Sequence, residues 1–169
     1  MSEHLKALTL DGVWPWAITV LDKAVENRSP RFAKSIAKQI GGGWLAIHAG
    51  KNIGNRPGRP ATNEAIRGLL AMALDAGWEG GPTIYNKGGR RVGFQESDVR
   101  TSAIVAVCRV GRVLPPGESA PWKVTESAAV ELLDVRVLPE PVPCKGKQGL
   151  WRLDAETHAA VVAQGVLGA

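Results

Sequence analysis

Ala103-Ile-Val-Ala-Val-Cys-Arg-Val110 is the stretch from which the fold can be read. It is apolar and β-branched almost throughout, the pattern of a strand buried on both faces rather than one that alternates between core and water. Such a strand belongs in the middle of a sheet, so the rest of the chain has to supply its neighbours and two covering layers. Residues 44–49, which follow Gly41-Gly42-Gly43, do alternate: Leu45, Ile47 and Ala49 fall on one face, Trp44, Ala46 and His48 on the other. Strands are also expected over 5–10, 124–133, 135–138 and 150–153, with an extended segment over 24–28. Pro15 stands at the first turn of a helix running through Trp16, Ile18, Val20 and Leu21, and Asp154 is placed to cap a last helix ending near Gly165. The expected class is α+β, a small curved sheet with flanking helices.

Residues 54–97 break this pattern. Pro57, Gly58, Pro60, Gly80-Gly81-Pro82 and Gly88-Gly89 punctuate them as loop. One helix is expected there, capped by Thr62 or Asn63, with Ile66, Leu69, Leu70, Ala73 and Leu74 as its apolar stripe and Gly77 as its stop. The segment reads as a loop-and-helix insertion in a single domain over 1–169, since 169 residues with 44% hydrophobic side chains suit one core.

A formal charge of +5 and a pI near 9.5 favour polyanionic partners, because neutralising phosphates releases counterions. The first residues lack a basic segment followed by an apolar one, and no run approaches the ~18 apolar residues of a membrane span. A cytoplasmic chain without a membrane partner is expected. Cys108 and Cys144 lie far apart, outside any CxxC spacing, and read as reduced packing residues. His, Cys and carboxylates show no metal-ligand spacing, and GxSxG and HExxH are absent from the sequence, so neither metal nor cofactor is expected.

Four separated stretches resemble the ASCH family of the PUA superfamily. They are Lys6-Ala-Leu-Thr-Leu10 followed by Trp14-Pro-Trp-Ala-Ile18, then Lys23-Ala-Val-Glu-Asn-Arg28, then Trp44-Leu-Ala-Ile-His-Ala-Gly-Lys51, and Pro143-Cys-Lys-Gly-Lys-Gln-Gly-Leu-Trp151. Lys-x-x-Glu-x-Arg alone is a short pattern; four elements in the family's order are much more specific. The likeness covers both ends and the central strand, not the insertion. It implies a PUA-like, β-barrel-like fold with a cleft beside the motif, in a family associated with RNA binding and, in some members, with hydrolysis of modified nucleosides or RNA. The family usually carries Gly two residues before the lysine, where this chain has Leu21. A related branch that hydrolyses N4-acetylcytidine has threonine where this chain has Glu26.

Period-two alternation puts Glu26 and Arg28 on one face of an extended segment, with Lys23 at the mouth of the same cleft. Arg28 offers a planar fork for phosphate, Lys23 a point charge, and Glu26 an acceptor for a base's exocyclic amine. Two readings stay open: a nucleotide-binding trio, or a structural ion pair beside a solvated lysine. Catalysis would use Lys23 as base or nucleophile and Glu26 as proton shuttle. Among six tryptophans, Trp16 is the expected cleft wall, the others being mainly core. His48 and Lys51 are expected at the cleft's edge, and Lys145-Gly146-Lys147 is a Gly-flanked basic loop suited to phosphate. Arg56, Arg59 and the Lys87–Arg91 run, numbered 87–91, add a basic insertion. The expected partner is RNA, single-stranded nucleic acid or a modified nucleoside; the alternative is a hydrolase acting on one of them.

Overall fold

The computed structural model describes residues 4–10, 14–51, 71–73, 75–77, 86–87, 90–91 and 102–168. In chain order these form β1 (Lys6–Leu10), α1 (Trp14–Val20), β2 (Val25–Arg28), α2 (Pro30–Ile40), β3 (Trp44–Ala49), β4 (Asn86–Lys87), β5 (Arg90–Arg91), β6 (Ala103–Leu114), β7 (Ala128–Pro143), β8 (Leu150–Arg152) and α3 (Ala155–Val162). Residues 71–73 and 75 are also helical. The class is α+β: a curled, mixed six-stranded half-barrel in the order β2-β7-β6-β3-β1-β8, with β4 and β5 as a separate pair. β1 and β3 run parallel, from Lys6↔Leu45 to Leu10↔Ala49, and the remaining neighbours in the large sheet are antiparallel.

β6 lies between β3 and β7, as its two apolar faces require. Val105, Cys108 and Val110 join a cluster with Leu8, Leu45 and Ile47, which Ala33 and Ile36 of α2 cover. Ile104 and Val107 join Ala7, Ala46 and Trp151 under Val161 of α3. Alternation along β1 and β3 thus feeds two cores, and each aliphatic side chain of Leu or Ile size buried there contributes about 1.5–3 kcal/mol. A third cluster gathers Trp16 and Ala17 of α1 with Leu21, Val25, Leu114, Trp122 and Ala73.

α2 occupies a stretch for which the patterns above predicted no element. Ser29 caps it by accepting from the Phe32 N–H at 3.3 Å, Pro30 opens it, and the Gly41 N–H closes it on the Ala37 carbonyl at 2.8 Å. β7 corrects the expectation of separate strands over 124–133 and 135–138: it is one continuous strand, while residues 124–127 form turns. Asp134 takes φ +47°, and the β6–β7 register shifts three times, so bulges rather than breaks absorb the irregular residues and bend the pair. At one shift Gly111 is required, because a Cβ there would lie 2.7 Å from that of Glu131. Asp154 caps α3 through the Thr157 N–H at 2.7 Å.

Of the expected insertion, Ala73 packs with Trp16 and Leu21, and Gly77 takes φ +87° where a helix stop was expected. The proposed caps Thr62 and Asn63, most of the stripe, and Arg56 and Arg59 lie outside the described residues. Among the described residues no helix is long and apolar enough to cross a membrane.

Candidate functional site

Lys23 follows α1 through a tight turn: the Leu21 and Lys23 N–H groups both donate to the Ala17 carbonyl, at 3.0 and 3.1 Å. The turn needs one left-handed residue, and Asp22 supplies it with φ +57°. Leu21 is consequently free to be fully buried, which explains how the chain manages with leucine where glycine was expected. β2 then carries Glu26 and Arg28 along the N-terminal part of β7, with Glu26 opposite Val130 and Arg28 opposite Ala128.

The Lys23 side chain is 2% exposed and Glu26 is 8% exposed, unusual for such charged groups. Lys23 Nζ donates to the Val25 carbonyl and to Glu26 Oε2 at 3.1 Å, and lies 5.4 Å from the centre of the Trp14 ring. Glu26 Oε1 faces Arg28 Nε at 3.1 Å, so one carboxylate is bracketed by two cations. Arg28 is less covered, with 29% of its side chain exposed, and its guanidinium sits 5.5 Å from the Phe32 ring of α2. Its Nε is buried and, despite the ionic contact, makes no hydrogen bond. The trio carries one net positive charge and presents it at Arg28.

Asn27, between them, faces the other way. Its amide donates to the Trp122 carbonyl at 2.9 Å and accepts from the Val124 N–H at 2.8 Å, holding a loop in which Trp122 takes φ +66°. Asp22, Val25 and Trp122 help line a cavity of about 370 Å³ beside β2.

The remaining predicted residues divide. Trp16 is 8% exposed and belongs to the third core cluster; the indole over Lys23 is that of Trp14, 41% exposed. Nothing in residue type separates the two, and only the orientation of α1 decides which faces the motif. His48 is buried, and its Nε2–H donates to the Cys144 carbonyl at 2.9 Å. Its ring meets Trp151 edge-on at 5.6 Å, and Trp151 donates to Thr9 at 3.1 Å. The Lys145–Lys147 loop, residues 145–147, is packed onto this group, since a Cβ on Gly146 would lie 2.5 Å from His48 Cε1. His48 and that loop come together, but beyond the far end of β7 from the β2 contact. Lys51 is exposed just after β3.

The chain matches no protein-family model, and it has no significant match among curated proteins.

Among the described residues no group of three or more His, Cys, Asp or Glu side chains is arranged to hold a metal ion. Both cysteines are free thiols. Burial pushes the Cys108 thiol up to about 12, and partial burial also raises Cys144, so both are held toward the unreactive thiol form.

Proposed function

We propose that this chain is a PUA-like, ASCH-type domain acting in the cytoplasm, which binds RNA or a modified nucleotide in the cleft built around Lys23, Glu26 and Arg28. The observation that carries this reading is the buried, cation-rich trio with an exposed indole at its side. Burying Lys23 and Glu26 is a poor route to stability, because desolvation offsets most of their attraction and apolar residues of similar size would serve as well or better. A fold that keeps them has a use for the charge and shape they create. Arg28 brings donors for a phosphate or a base edge, Trp14 a face for stacking, and Glu26 locks both cations in place. Lys145 and Lys147, at the other end of β7, add phosphate contacts along a longer strand.

Titration with short RNA, short DNA and modified nucleosides tests this, read by tryptophan fluorescence. Arg28→Ala and Trp14→Ala, both at partly exposed positions, are expected to weaken binding tenfold or more while circular dichroism is unchanged. Lys145→Ala/Lys147→Ala is expected to lower the salt dependence. RNA affinity unchanged in both cleft variants would remove the cleft from the function.

A hydrolase acting on a modified nucleoside, in the manner of an N4-acetylcytidine amidohydrolase, or on RNA is the second reading. It is favoured by the 3.1 Å contact between Lys23 Nζ and Glu26 Oε2, which is within proton-transfer reach. Against it stands the enclosure of the amine, two of whose hydrogens are directed to the Val25 carbonyl and Glu26. A product formed by the wild type and lost in a folded Lys23→Ala variant would promote it.

A further inference from the structure

A second cavity, of about 400 Å³, lies where the C-terminal end of α2 and the outer side of α3 meet the start of β1 and β3. It shares no residue with the Lys23 trio. We propose that it is a binding site for a compact organic anion: an apolar ring or short chain bearing a phosphate or carboxylate.

The polar wall is the first argument. Lys6 lines the cavity, and its ammonium donates to the neutral amide oxygen of Gln39 at 3.0 Å. Among the described residues it forms no ion pair. Among the described residues its charge is uncompensated, and none of the described lining residues is acidic. Behind the cavity wall, the Arg109 and Arg136 guanidiniums lie 4.4 and 4.7 Å from the Trp44 ring, adding to the positive potential; Arg136 is offset by Asp134, 2.7 Å away.

Hydrogen-bond direction then makes His158 a donor toward an anion rather than a metal ligand. His4 and His158 stack with ring centres 5.2 Å apart. The Leu5 N–H points at His158 Nδ1 at 3.1 Å, and a backbone N–H can only donate. His158 Nδ1 must therefore hold its lone pair, which puts the ring's hydrogen on Nε2. His4 Nδ1 lies 3.1 Å from the Leu153 carbonyl, which can only accept, so that nitrogen carries a hydrogen. Metal ligation by His158 Nε2 would require removing its hydrogen or breaking the Leu5 bond. A phosphate or carboxylate would simply accept from Nε2–H and from the Lys6 ammonium.

The apolar wall supplies the rest of the ligand's shape. Ile40, Leu167 and Val162 line the same cavity, and Val162 is 44% exposed at its side. An apolar cavity of roughly 150 Å³ takes up benzene, so a space of about 400 Å³ accommodates a ring with an ionised group attached.

Calorimetry, together with NMR of the histidine ring resonances, tests this with phenyl phosphate, benzoate, inorganic phosphate and phenol. Phenyl phosphate or benzoate is expected to shift the His158 ring signals saturably, with phenol and inorganic phosphate at least tenfold weaker; whichever anion is tighter identifies the head group. Lys6→Met is expected to raise the dissociation constant of the preferred anion tenfold or more, and Ile40→Trp, which fills the cavity, to abolish binding. Arg28→Ala should bind the anion as the wild type does. Absence of a saturable shift with both anions, or equal affinity in Lys6→Met, would overturn the proposal.

Discussion

At the β2 edge of the sheet the Lys23 ammonium is sealed in, with a carboxylate, a carbonyl and an indole as neighbours. Toward the β8 edge the Lys6 ammonium lines an open cavity, and among the described residues its partner is a neutral amide. The first region neutralises one of its two positive charges internally at a cost in desolvation; the second leaves charge in reach of solvent at little cost to folding. Similar side chains therefore have different duties. At the β2 edge Lys23 and Glu26 are held in place and leave Arg28 partly exposed, whereas at the β8 edge Lys6 itself lines a cavity.

The sharpest way to break this contrast is at Glu26. Glu26→Ala leaves Lys23 buried without its carboxylate and is expected to destabilise the protein by about 3–5 kcal/mol, measured by urea unfolding. Lys23→Met/Glu26→Leu removes both charges and should recover most of that loss, while abolishing the nucleotide binding proposed above. A double variant as unstable as the single one would mean that the charges are structural after all.

A middle case is His48, buried toward the β8 edge yet hydrogen-bonded through a neutral-compatible contact to Cys144. Gly146→Ala would drive a methyl group to within 2.7 Å of His48 Nδ1 and 2.8 Å of Thr9 Oγ1. Overpacking of this kind costs about 1–3 kcal/mol. A fall in Tm of roughly 2–4 °C per kcal/mol is expected for a chain of this size, and an unchanged Tm would show that the loop yields freely.

The smallest effect belongs to Asp154, which orders the helix carrying His158. The hydrogen bond from the Thr157 N–H is the main reason its carboxyl titrates below the ordinary aspartate range. Because the folded-state value is depressed, the cap's contribution is present above the unfolded value, about 3.9, and is lost as pH falls through the folded one. Asp154→Ala should thus lower Tm slightly at neutral pH, with the difference from wild type shrinking on acidification. A constant difference down to strong acid would argue against the cap.

Much of the sheet was legible because burial on two faces leaves a pattern that periodicity detects, as over 103–110 and 44–49. Two elements were not. In α2 the core-facing Phe32, Ala33, Ile36 and Ile40 make a narrow stripe among Lys34, Ser35, Lys38 and Gln39, although Ser29-Pro30 and Gly41 were available as start and stop signals. In β7, Asp134, Pro139 and Pro141 look like breaks, and only the partner strand's register reveals that bulges accommodate them. At the candidate site, the Lys23–Glu26–Arg28 grouping follows from short-range spacing and was readable. The exchange of Trp16 for Trp14, and the distance between Lys145 and the motif along β7, depend on how α1 rotates against the sheet and on long-range register. Local patterns carry neither. The stacked His4 and His158, 153 residues removed at the Leu5–His158 hydrogen bond, left no local trace either.

The place of β1 between β3 and β8 has a consequence during synthesis. The Trp151–Thr9 hydrogen bond closes a separation of 142 residues. At about 5–20 residues per second, β1 spends on the order of ten seconds with one ladder edge unpaired, even when β3 has already joined the other. β1, which precedes the other strands of this sheet in chain order, is among the last to be completed, and that interval is when a nascent chain is most open to pairing with a neighbour on the same message.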